Sequence, residues 1–302
     1  MAPTNMAGRL LFCYNSLMNL LQQINIYTKR YERFDGATLK MIAMLTMLVD
    51  HAADCFLWRI HGKLGLGLAL EDARLWPLYV TLRVIGRTAF PIFAFFIAEG
   101  YVHTRSRKWY LTRLLLLAVI SQIPYDLVFN PALDGARNVN LLAATYHGIQ
   151  MNTVFTLAAG LALTALLDSI LHGKHKAALQ HRADAGRQRP LRRELLLRGA
   201  AATMAAGAFC LLAEVLHFDY GAAGVLIIPV FYFLRNLRIL AIIAGWILLL
   251  PVSSLELYSV GGFLLIQCYN GKRGKQIQSL FYIFYPAHLC LLLLLRFMIA
   301  GY

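Results

Sequence analysis

The sequence predicts an all-α integral membrane protein, a polytopic bundle of about nine transmembrane helices with an amino-terminal interfacial helix. Three observations carry this. Of 302 residues 59% are hydrophobic and only 15% charged, and the mean hydropathy of +0.58 lies well away from the balance of a soluble domain. Apolar runs bounded by charge or turn residues recur along the chain. The basic residues fall in short loops between these runs. The formal net charge of +14 therefore points to orientation and anionic headgroups, and away from nucleic acid.

Residues 1–35 form an amino-terminal segment, and 36–302 the membrane domain. Within the first, residues 9–28 (RLLFCYNSLMNLLQQINIYT) hold apolar positions at helical spacing, interrupted by Asn15, Asn19, Gln22, Gln23 and Asn25. That interruption favours a helix lying in the membrane surface over a further crossing. The candidate spans are 39–59, 76–102, 109–130, 150–171, 199–217, 221–235, 238–256, 258–270 and 279–300. The sixth and eighth are short for a full crossing and are expected to be tilted, broken or buried. Lys and Arg concentrate in the loops after the second, fourth, sixth and eighth spans, so the amino terminus is expected in the cytoplasm and the carboxyl terminus outside. The loop 172–198, with three histidines and eight basic residues, reads as a solvated cytoplasmic linker. Five cysteines lie in or beside apolar segments without a CxxC pair, so no metal site is expected.

Ionisable groups inside these spans carry the functional signal, because charge in lipid is costly. The first span begins LKMIAMLTMLVDH, residues 39–51. At 100° per residue, the eleven steps from Lys40 to His51 return the two side chains to within about 20° of one face, roughly 16 Å apart along the axis. A surface cation with an imidazole below it suits a ligand whose anionic end stays outside while its reactive end reaches in. Acyl-coenzyme A, with its phosphates and extended pantetheine arm, is such a ligand. His288, roughly 13 Å into the last span, lies near the depth of His51, which suggests one polar chamber. Arg83 and Arg87 sit one turn apart in the second span. Depth counting pairs Arg87 with Asp126, and Glu99 with Arg113. Pro91, in GRTAFPIF, is expected to kink the second span beside the arginines.

The segments LKMIAMLTMLVDH, RVIGRTAFPIFAFFIAEGYVHTR, YLTRLLLLAVISQIPYDLVF, DYGAAGVLIIPVFYFLR, YNGKRG and FYIFYPAHL resemble, in order, the motifs of TraX proteins, named for F-pilin acetylation in bacterial conjugation. They cover about residues 38–300. TraX proteins are similar in turn to the wider acyltransferase-3 group, whose first helix carries a basic residue, ten residues, then a functional histidine. Lys40 and His51 match that spacing. The long 172–198 loop and the extended amino-terminal segment depart from the expected pattern.

The resemblance implies a bacterial inner-membrane enzyme transferring an acyl group, typically acetyl from acetyl-CoA, to an amine or hydroxyl acceptor: a pilin amino terminus, a peptide, or a glycan or lipid-linked molecule. A thioester is electrophilic without a protein nucleophile, so His51 is expected to serve as general base. Asp54, at i+3, returns to the side of His51 and is the better-placed orienting carboxylate, whereas Asp50 points about 100° away. The family motif nevertheless features the Asp-His pair, so Asp50 is a candidate that bonds another helix. Tyr285, His288 and an arginine all stand open as oxyanion donors. Lys40, Arg105, Lys108, Lys272 and Arg273 are the candidate phosphate ligands, with Gly271 and Gly274 allowing close backbone approach. Two other classes fit many of the same residues: a proton-coupled transporter or flippase using His51, Arg87 and Asp126 as a relay, and a noncatalytic membrane partner of a secretion or pilus complex.

Overall fold

A computed structural model of the chain describes residues 29–59, 75–129, 150–172, 191–275 and 278–300, with isolated positions between Phe12 and Gln23. The expected interfacial helix at 9–28 lies almost wholly outside the described residues, as does 173–190 of the basic loop.

Ten α-helices make up the described fold: α1 Gly36–Ala52, α2 Leu75–Gly86, α3 Ala89–His103, α4 Arg107–Phe129, α5 Thr153–His172, α6 Leu191–Val215, α7 Gly221–Phe233, α8 Arg238–Leu249, α9 Val260–Gln267 and α10 Gln278–Ala300. Among the described residues there is no strand, only two isolated bridges. Among the described residues, five stretches are long and apolar enough to cross a membrane: Leu75–His103, Arg107–Phe129, Thr153–His172, Arg193–Val215 and Ser279–Ile299. The described residues thus form the helical fold of a membrane protein.

The structure does not confirm a count of nine crossings. Helix α9 has eight residues and is about 12 Å long, while α7 and α8, with 13 and 12 residues, reach about 20 Å, against a hydrocarbon core of about 30 Å. Their apolarity has another cause. Ile227, Ile228 and Phe231 of α7 and Phe263 and Ile266 of α9 are buried in the main core, because α7 packs between α3, α5, α6 and α8. Hydropathy does not distinguish a side chain facing lipid from one facing protein.

The second apolar run is broken at Arg87–Thr88. Pro91 is the third residue of α3. Its ring clashes with the carbonyl four residues back, that of Arg87, so a straight continuous helix is disfavoured, while its missing N–H costs nothing in a first turn. The expected kink is therefore a break between two helices. A second irregularity follows His51, where α1 widens into a π-helical stretch, Ala53–Arg59; such widenings often mark functional positions.

Bridges pin opposite ends of the bundle. At one end Phe34 pairs with Tyr269, and the Lys272 carbonyl accepts from the Gly36 amide at 2.8 Å. Gly271 and Gly274 take positive φ angles of 74° and 72°, which lets YNGKRG fold back onto the start of α1. Asp35 caps α1 by accepting from the Thr38 amide at 2.8 Å, which holds its carboxyl below the ordinary value. At the other end Met151 pairs with Phe218, and Asn152 donates to the Ala118 carbonyl at 2.8 Å and to Gln122 at 2.9 Å.

Candidate functional site

A cavity of about 520 Å³ enters the bundle beside the start of α1. Gly36, Lys40, Met44 and Met47 line it, and steps of four, four and three residues put these on one helical face. His51 continues that face one turn further in. The mouth is polar, with Lys40, Glu99, His103, Arg113 and Arg273, whereas the walls are aromatic and the far end is formed by Thr153, Phe284 and Tyr285.

Of the five cations read as phosphate ligands, Lys40 and Arg273 line this cavity; Arg105, Lys108 and Lys272 are exposed and do not. Arg113, read only as a partner for Glu99, is a third lining cation. That pairing is not formed. Glu99 lies 3.5 Å from His103, and the Arg113 guanidinium lies 5.9 Å from the centre of the Tyr282 ring. The Lys40 ammonium sits over the rings of Phe96 and Phe281, at 4.8 and 5.3 Å, a placement favoured by the ring quadrupoles.

Beyond the cavity's lining residues Met47 and Phe284, one turn further along α1 and α10, the two histidines meet; neither lines the cavity itself. His51 Nδ1 is 2.8 Å from His288 Nε2, and His288 Nδ1 is 2.9 Å from the Phe284 carbonyl. A carbonyl only accepts, so His288 carries its proton on Nδ1 and presents a lone pair at Nε2. His51 must then donate from Nδ1, which leaves its own Nε2 unprotonated in the neutral pair. The rings of Phe129 and Phe284 pack against His51 and His288 at 4.9 Å each. His288 is buried and His51 partly accessible.

Asp50 and Asp54 do not take the role of orienting His51. Asp50 Oδ2 accepts from Arg83 at 2.9 Å and Arg87 at 2.8 Å, and Arg87 also bonds Glu256 at 3.1 Å. Asp54 accepts from the Tyr79 hydroxyl at 3.5 Å. The expected Arg87–Asp126 pair is replaced by these contacts, and Asp126 accepts from Gln122, one turn away, at 2.8 Å. The depth count assumed an unbroken second helix, and the break at Arg87 turns its side chain toward Asp50 and Glu256. Glu256, fully buried, was missed because it lies in the short turn Ser254–Ser259, where no helical periodicity assigns a depth. Among the described residues no cluster of His, Cys, Asp and Glu is arranged to hold a metal.

The TraX protein family matches residues 35–296. The chain belongs to the TraX family. Its match begins at the Asp35 cap of α1 and ends in α10, so it takes in both histidines and the residues lining the cavity. A curated relative in Dichelobacter nodosus, described as a probable fimbrial assembly protein FimC of serogroup H1, is 27% identical over 282 residues, covering 86% of this chain and 94% of its own length. No solved structure matches.

Proposed function

We propose that the protein is a membrane-bound acyltransferase that moves an acyl group, typically acetyl, from acyl-coenzyme A to an amine or hydroxyl of a pilus-related acceptor. The observation that supports it best is the His51–His288–Phe284 relay, which lies just beyond the cavity and touches its lining at Phe284. A backbone carbonyl fixes one tautomer, which fixes the next, and the outcome is a lone pair on His51 Nε2 held ready to receive a proton.

In this reading the acceptor's O–H or N–H attacks the thioester carbon as His51 Nε2 takes its proton. The tetrahedral intermediate then collapses, the C–S bond breaks, and the thiolate leaves with the proton from His51. Lys40, Arg113 and Arg273 at the mouth suit the phosphates, and the aromatic walls suit the pantetheine and acyl portions. The family name and the fimbrial name of the relative support a pilin or pilus-associated acceptor. The loop cations favour an orientation in which the mouth faces the cytoplasmic side of an inner membrane, where acyl-CoA is made.

The transporter reading draws less support, because Asp50, Arg83, Arg87 and Glu256 bond one another and leave His51 outside their network. The test is equilibrium binding and turnover of acetyl-CoA by the purified, lipid-reconstituted protein. Saturable binding competed by free coenzyme A, with release of the thiol, is expected. A protein that neither binds nor turns over acyl-CoA at millimolar concentration contradicts the reading.

A further inference from the structure

We infer that the Tyr285 hydroxyl is the donor that stabilises the thioester oxyanion; this rests on the acyltransferase reading above. Tyr285 lines the far end of the cavity, is more than nine-tenths buried, and its hydroxyl makes no hydrogen bond of ordinary geometry among the described residues, its polar neighbour being Thr153. A buried hydroxyl left unbonded is costly, so a partner supplied by the ligand is the natural complement. Thr153 lines the same end, but its hydroxyl is given to Asp219.

The other candidate donors are committed elsewhere. His288 uses Nε2 to accept from His51 and Nδ1 to donate to Phe284. Arg83 and Arg87 bond Asp50 and Glu256, and neither lines the cavity. Tyr285 precedes His288 by three residues on α10, on the same face, and its ring centre is 5.5 Å from that of His288. The donor thus lines the cavity, and the base lies one turn beyond that lining on α1. As the acceptor adds, the carbonyl π electrons move to oxygen and the Tyr285 O–H donates to that oxyanion. The bond is released when the carbonyl re-forms and the thiolate departs, so the tyrosine keeps its proton throughout.

The test compares wild-type protein with Tyr285→Phe, which keeps the ring and removes the hydroxyl, using acetyl-CoA as donor and thiol release as readout. Tyr285→Phe is expected to lower kcat about a hundredfold to a thousandfold, with KM for acetyl-CoA changed less than about threefold, since the donor acts on a charge absent from the ground state. A thermal-unfolding scan and the binding of free coenzyme A, which has no carbonyl at this position, should match wild type. An unchanged kcat overturns the proposal, and so does a raised KM with kcat intact. A wild-type protein inert toward acetyl-CoA would instead bring down the acyltransferase reading itself.

Discussion

Asp50 and His51 are neighbours in the chain, yet they serve two regions of opposite character. One step along α1 turns the side chain by about 100°. Asp50 reaches α2, where its carboxylate meets two guanidiniums, and through Arg87 it connects to a fully buried Glu256. His51 reaches α10 and bonds a neutral imidazole. The first region is an ion cluster of two positive and two negative groups, which tolerates its low-dielectric setting only because every charge has a partner. The second carries no formal charge and keeps an uncommitted lone pair. A group that must exchange a proton in each turnover is better served by neutral partners than by fixed ions, which would lock its charge state.

That contrast is tested most severely on the ion side. Asp50→Ala leaves Arg83 and Arg87 facing each other without their shared carboxylate, and loss of one partner of a buried pair typically costs about 3–5 kcal/mol. The variant should accumulate poorly and unfold at lower temperature in detergent. If Asp50→Ala instead melts with wild type while losing turnover, Asp50 belongs with the chemistry and the division fails. On the imidazole side, His288→Phe retains the ring packing but removes the acceptor that sets the His51 tautomer. Turnover should fall by roughly ten- to hundredfold, the scale seen when an outer partner orienting a functional histidine is lost, with much smaller effects on stability. Equal rates in wild type and His288→Phe would remove the relay.

A smaller effect is expected at the mouth. Lys40→Ala should raise KM for acetyl-CoA by the loss of one charge-assisted contact, worth about 1.5–3 kcal/mol, while kcat falls far less. With an acetyl-pantetheine donor lacking the nucleotide, the penalty should shrink. Equal impairment with both donors would leave Lys40 as a pillar between Phe96 and Phe281 and not a phosphate ligand.

What could be read from the sequence divides along the same line. The face carrying Lys40 and His51, and the matching depth of His288, follow from regular helical geometry, and Lys40 lies at the mouth while the histidines meet in the structure. The partners of Arg87 do not follow, because the helix break before Pro91 resets the rotation on which depth counting depends. Glu256 escaped notice for a related reason: it sits in a turn whose position is set by tertiary packing alone. The short sixth and eighth apolar runs have a related origin, since α7 and α9 are apolar through burial in protein. Arg113 was visible as a charge in an apolar run, but only the packing of α4 against α10 brings it to the cavity beside Arg273.

His51 Nε2 is the proposed base, and the most direct measurement of that role is single-turnover acyl transfer by His51→Ala beside wild type, both purified and shown to be folded. A general base is typically worth about a hundredfold to ten-thousandfold in rate. His51→Ala should therefore bind acetyl-CoA with near wild-type affinity and transfer its acyl group slower by that factor. Transfer at the wild-type rate by folded His51→Ala would contradict the central claim.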